Sequence, residues 1–284
     1  MGKQFVVSIL FASLSVLVAS HTVINRSKIT STSDSGVCFY GATAERVLNI
    51  LANGKNRHLV PPSVRKPKDC SALDPKHDHS GVYRIYPTSA GRGFKVYCDM
   101  TTDGGRWTVL VRRMDGSQNF NKNWVEYENG FGDLSREFWL GNKYLNILTS
   151  IGKTEMRVDM ENFKGVKKYA KYSTFKVGDA ASKYTLTVGG FSGNAGDAFA
   201  ARQHNGQKFS TPDQDNDIWP KNCALWEKRV GGGWWFSNCD HVCFTLSYAN
   251  NKQGLTGEAL IQWQTWSGSA YNLKYAAMMI RRVN

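Results

Sequence analysis

Proline is scarce, at 7 of 284 residues. With 27 glycines against it, the chain reads as one of many turns rather than a Pro-rich disordered one. No Gly-X-Y repeat is present, which excludes a collagen stalk. Sustained heptads are absent too, which excludes a stable coiled coil. No run beyond the first 20 residues approaches the roughly 20 apolar residues needed to cross a bilayer, so no membrane span is expected. Acidic residues are in deficit, with 23 Asp and Glu against 36 Lys and Arg and a formal charge of +13. That excess admits an anionic partner such as a sulfated glycan or a bacterial surface, and equally a basic protein with scattered charge. No nucleic-acid partner is expected. Catalytic constellations are missing. The text from Gly189 to Gly193 is not G-x-S-x-G, because Asn194 stands two places after Ser192. The same stretch lacks a helix-opening phosphate motif. His204 and His241 have no nucleophile placed beside them by any motif, and no enzyme is expected.

What is present begins with a leader. Lys3 precedes an apolar run from Phe5 to Ala19, and Val18-Ala19-Ser20 offers small residues for cleavage. Residues 1–20 are read as a signal peptide and the mature chain as secreted and extracellular. Its six cysteines then have an oxidising compartment in which to pair. Residues 21–68 form an N-terminal arm. It contains an N-glycosylation acceptor at Asn25-Arg26-Ser27, a short helix over Ala42 to Ala52 and a basic, proline-bearing linker from Lys55 to Lys68. Residues 69–284 form one domain, long enough to bury a substantial core.

Within that domain, apolar alternation marks strands at Phe94 to Met100, Trp107 to Val111, Met156 to Met160, Tyr169 to Val177, Tyr184 to Val188 and Leu273 to Met279. A helix is predicted over Glu137 to Ser150, with Ser135 as a candidate N-cap. Strands at hairpin-like spacing with few helices predict an α+β domain with a central antiparallel sheet. Lys164, Lys167, Lys168 and Lys171 cluster at the turn between two strands and read as a solvated surface.

The stretch from Thr211 to His241 carries the chemistry. Asp215 and Asp217 flank Asn216, and a short irregular segment follows. Carboxylates at i and i+2 offer oxygens to a hard cation, which takes six to eight at roughly 2.3–2.6 Å. The same pattern also fits a solvated acidic turn. Carbonyls at Trp219 and Lys221 extend the possible ligand set, and no Cys or His joins it, which argues against zinc. Cys223 and Cys239 bracket a loop, and Gly231 to Gly233 lead into Trp234, Trp235 and Phe236.

Together with DCSALDPKHDHSGVYRIYP from Asp69, FKVYCDM from Phe94, GGRWTVLVRRMDGSQNF from Gly104, EFWLGN from Glu137 and HNGQKFST from His204, this text resembles the fibrinogen-related domain from about Cys70 to Arg282. The resemblance includes that family's ficolin-like and tachylectin-like lectins. It implies a fibrinogen C-terminal-like globular domain with an irregular calcium- and ligand-binding lobe. Asp215 and Asp217 would ligate calcium through their side chains, and Trp219 and Lys221 through their carbonyls. Disulfides Cys70–Cys98 and Cys223–Cys239 are implied. Cys38 and Cys243 then remain; either they pair within the chain, which is preferred, or Cys38 links chains into a homo-oligomer. Trp226, Asn238, Cys239, Asp240 and His241 would line a pocket for glycans or acetylated ligands, with the Asn238–Cys239 bond at the place of a cis peptide in the family's lectins. Asp240 stands where those lectins often carry His, and its charge favours cationic or hydroxyl-rich ligands. The function implied is innate-immune glycan recognition. The alternative is an extracellular matrix or signalling ligand that binds a protein receptor.

Overall fold

The structure is a computed structural model. It describes residues 66–88, 91–226, 232–249, 260–267 and 272–283, and the backbone of two short strands near the start. Those two, β1 (Val7–Ser8) and β2 (Cys38–Phe39), pair antiparallel. They belong to a unit spanning Met1–Arg65; the rest, Lys66–Asn284, is a second unit. The glycosylation acceptor and the helix predicted at Ala42 to Ala52 lie outside the described residues.

The second unit is built on a nine-stranded sheet. Its strands in chain order are β3 (Gly81–Ile85), β4 (Phe94–Asp99), β5 (Trp107–Arg113), β6 (Phe131–Gly132), β7 (Phe138–Trp139), β8 (Thr154–Asn162), β9 (Lys167–Val177), β10 (Leu186–Gly193) and, after two short strands outside this sheet, β13 (Leu273–Arg282). The path across is β10-β9-β8-β13-β5-β4-β3, with β7 pairing β5 and β6. All its ladders are antiparallel. The last strand therefore lies near the middle of the sheet, between β8 and β5. Such a place suits its apolar stretch Ala276 to Ile280, which is buried throughout.

Helices are few and short: α1 (Trp124–Asn129), α2 (Asn142–Ser150), α3 (Ala198–Ala201) and α4 (Gln264–Ser267). The helix expected over Glu137 to Ser150 is divided. Phe138 and Trp139 form β7 against Val111 and Arg112, and α2 starts only after Gly141. The cause is Glu137, whose carboxylate is buried and accepts the backbone N–H groups of Met114, Asp115, Gly116 and Gln118. That network holds the segment extended where side-chain periodicity alone reads helix.

The remaining pair, β11 (Val242–Cys243) and β12 (Gln262–Trp263), forms a two-stranded ladder within an irregular lobe. Beneath it is a core of aromatic side chains. Trp139 lies 5.6 Å from Phe209, 5.9 Å from Trp235 and 6.2 Å from Trp234, centroid to centroid. Each such ring, fully buried, contributes about 1.5–3 kcal/mol. The GGWW text is thus part of the core. Gly232 has φ +112, and a Cβ there would come within 2.5 Å of the Thr245 carbonyl oxygen. Only glycine lets these two backbones approach so closely.

The structure joins Cys70 to Cys98 and Cys223 to Cys239. Cys243 is a buried thiol with its sulfur 3.2 Å from Thr245 Oγ1. Of the expected Cys38–Cys243 pair, Cys243 is 0% exposed inside the lobe. The Cys38 side chain lies outside the described residues.

Candidate functional site

The Asp-rich loop is anchored on both sides. Asn123 caps α1, its side chain accepting from the Glu126 N–H while Glu126 accepts from the Asn123 N–H. This fixes the first residue of the helix, Trp124, whose N–H donates to Asp213 Oδ1 at 2.9 Å. Asn216 closes the other side. Its N–H donates to Ser210 Oγ and its amide to the Phe209 carbonyl, at 2.9 and 2.7 Å. Phe209 itself is buried in the aromatic core, so the loop is tied to the packed interior of the lobe.

Asp217 is half-buried and orients the chain that follows. One carboxylate oxygen accepts the Trp219 N–H and the other the Cys223 N–H, both at 2.9 Å. Asp215 Oδ1 accepts the Asp217 N–H at 3.2 Å. Burial, and then the neighbouring Asp215 carboxylate, push the Asp217 carboxyl up to about 6, against the lowering effect of the two N–H donors. Among the described residues no Lys or Arg pairs with either carboxylate, and no hydrogen bond reaches the carbonyl of Trp219 or Lys221. Two close, unneutralised carboxylates beside two carbonyl oxygens suit a hard cation. No group of three or more Cys, His, Asp or Glu side chains gathers among the described residues, so a cation held here draws on backbone oxygen and water as well. Asp215, Asp217, Trp219 and Lys221 therefore fit calcium, which would neutralise the pair and hold the loop's shape.

The pocket residues expected from the sequence are only partly assembled. Asn238 is exposed, and Cys239 and His241 are half-buried beside the Cys223–Cys239 bridge. Asp240 turns inward. It is 4% exposed and accepts a short hydrogen bond from Gln262 Nε2. Its carboxylate is thus committed inside the lobe, which corrects its placement in the pocket wall. His241 is engaged as well: Arg202 Nε donates to its Nε2 at 3.1 Å, and its backbone N–H donates to His204 Nε2. Burial, then Arg202, hold its imidazole below the ordinary histidine range. Among the described residues every peptide bond is trans, Asn238–Cys239 included. Trp226 is half-buried and meets Trp219 edge-on, with centroids 6.5 Å apart.

Sequence reasoning missed two apolar side chains. Ile218 and Leu225 are 63% and 61% exposed and bracket the segment that carries Trp219 and Lys221. Their signal was an apolar residue at each end of a polar loop, with no strand or helix period to bury it.

The family model describing the C-terminal globular domain of fibrinogen beta and gamma chains matches residues 66–283. Fibrinogen-like protein 1 of Bos taurus is 38% identical over 251 residues, covering 84% of this chain and 79% of its own. Fibrinogen-like protein A of Apostichopus parvimensis is 42% identical over 215 residues, covering 75% and 72%. Among solved structures, the fibrinogen-like globe domain of human ANGPTL2 superposes with a TM-score of 0.71 at 37% identity, over 76% of this chain and 99% of that one. A lamprey fibrin D-dimer, complexed with the peptide Gly-His-Arg-Pro-amide, gives 0.67 at 29% identity over 85% of each chain.

Proposed function

This chain belongs to the family of fibrinogen C-terminal globular domains, and from that premise we propose that it is a secreted, non-enzymatic binding protein. Its Asp-rich loop, stiffened by calcium, docks an extracellular protein partner. The observation that carries this reading is the exposure of Ile218 and Leu225 on either side of the half-buried Trp219. Exposed apolar side chains on an anchored loop suit a protein surface, which buries them on contact. The lamprey relative bound to a short peptide supports the same reading. Calcium contributes charge neutralisation at Asp215 and Asp217; the apolar residues supply the contact.

Glycan recognition in innate immunity is the second reading. Half-buried Trp226 and exposed Asn238 favour it, since an aromatic face beside an amide suits a sugar ring and its acetamide. The inward turn of Asp240 weighs against it. The test displays the secreted chain to a panel of cell-surface ectodomains and, in parallel, to a glycan array. Both are run with calcium, with chelator, and with Ile218→Asp plus Leu225→Asp. The expected result is an ectodomain bound in calcium and lost in the double variant. Acetylated-glycan binding that survives the double variant would overturn the first reading and establish the second.

A further inference from the structure

The sheet has a second face, and it holds a cleft of about 490 Å³. Successive residues on a strand point to opposite faces, so Arg112 and Arg113 part company. Arg113 reaches the lobe, donating to the carbonyls of Phe244 and Leu246. Arg112 lies on the other side, 4.2 Å from the Tyr97 ring centroid. Across the ladder Arg112 opposes Ala277, Ala277 opposes Asp159, and Asp159 opposes Tyr169. Ala277 contributes only a methyl to this row, with longer side chains standing around it. Tyr275, two residues before Ala277, opposes Glu161 and lines the cleft beside Asp159, Tyr169 and Lys168.

The charges here are largely spent on one another. Arg157 pairs with Asp159 at 2.8 Å and Asp103 at 3.1 Å; Lys171 also reaches Asp103, at 2.9 Å. Glu161 pairs with Lys274 at 3.0 Å, while its other oxygen is 3.8 Å from Lys167. A free cation or anion would find little uncompensated charge. Directional hydrogen-bonding capacity remains. Among the described residues the hydroxyls of Tyr169 and Tyr275 make no hydrogen bond, and Lys168 makes no ion pair. Burial pushes the Tyr275 phenol up to about 12, so it is a protonated donor at neutral pH. Tyr169 is held in place by the Arg157 guanidinium, 4.4 Å from its ring centroid.

We propose that this cleft is a binding site for a neutral, hydroxyl-rich ligand, the end of an oligosaccharide, on the sheet face opposite the Asp-rich lobe. The tyrosine rings offer apolar surface to the faces of a pyranose. Carboxylates already held by Arg and Lys accept hydrogen bonds from vicinal hydroxyls, and the two phenols donate to ring and hydroxyl oxygens. The volume falls in the range of small-molecule sites, about 300–1,000 Å³. The site needs neither calcium nor the disulfide loop.

The test screens the full chain on an array of neutral, sialylated and sulfated oligosaccharides. The strongest neutral binder is then titrated calorimetrically against the wild type, Tyr275→Phe, Glu161→Gln and, as a control away from the cleft, Asp115→Ala. Circular dichroism checks that each variant folds. The expected result is neutral-glycan binding that persists in chelator and in about 0.5 M salt. Tyr275→Phe weakens it about 3- to 10-fold, the worth of one hydrogen bond, and Asp115→Ala leaves it unchanged. Three outcomes overturn the proposal. One is no neutral glycan bound. Another is binding indifferent to both Tyr275→Phe and Glu161→Gln. The third is binding confined to anionic glycans and lost in salt, which would assign it to the lysines of the β8–β9 turn.

Discussion

Arg113 and Glu137 face each other at 3.5 Å with side chains 1% and 0% exposed. They join the sheet to the lobe. Arg113 holds the carbonyls of Phe244 and Leu246, while Glu137 gathers four N–H groups of the segment after β5. Each charge is tolerated inside the protein because the other is there.

Glu137→Ala should therefore destabilise the domain by about 3–5 kcal/mol, since it strands the Arg113 charge and several backbone donors. Guanidinium denaturation at pH 7 measures this. Asp115→Ala, which breaks the exposed Arg136 pair instead, should move the midpoint little. Equal effects from the two would refute the assignment.

Stability should also fall on mild acidification through His204. That imidazole is fully buried, with Nδ1 2.8 Å from the Trp235 carbonyl and Nε2 accepting from the His241 N–H. Burial holds its pKa below the ordinary value, against the Trp235 carbonyl and Asp240, which raise it. In the unfolded chain it titrates near about 6.5. Below that pH the unfolded state takes up a proton that the folded state refuses, so stability is present above about 6.5 and declines as pH falls. Denaturation midpoints between pH 7.5 and 5 should show the decline, and His204→Gln should flatten it.

Calcium should raise the thermal midpoint. A ligand that binds only the folded state at 100 times its Kd adds about 2.7 kcal/mol. Asp217→Asn should abolish the shift, because Asp217 offers a carboxylate while both its oxygens position Trp219 and Cys223. Calorimetry with calcium and with chelator reads it. An unchanged shift in Asp217→Asn would place the cation elsewhere.

Gly232→Ala should cost more than about 1 kcal/mol, since alanine resists the positive φ and its Cβ meets Thr245. A thermal melt that matches wild type would show that the backbone can relax there.

Cys243 should resist alkylation in the native protein, because it is fully buried. Mass spectrometry after labelling counts the modified sites. Rapid labelling of Cys243 in the native protein would refute its burial.

Much of the fold was legible from local pattern. Alternation at Phe94, Val96 and Cys98 and at Met156, Val158 and Met160 follows directly from the pleat, which sends every second side chain to the core. Position in the sheet was not legible. Nothing local in Leu273–Arg282 says that it inserts between β8 and β5, because strand order depends on contacts far apart in the chain. Glu137 shows the same limit: its four backbone partners lie some twenty residues upstream, and they override the helical period.

The candidate site divides in the same way. Asp215 and Asp217 declare themselves, because two carboxylates two residues apart in an irregular loop are close in any conformation. So do the cysteine brackets. Which side chains face outward was decided only by packing. Trp234 and Trp235 are core, whereas Ile218 and Leu225 look unremarkable in the sequence and are exposed. Asp240 reads as a pocket charge until Gln262, twenty-two residues on, draws it inward. The sequence by itself determined most of the strands and the Cys70–Cys98 and Cys223–Cys239 bridges, set by short spacings or by familiar text. The tertiary structure decided direction, burial and the second cleft, since these arise where strands distant in the chain are laid side by side.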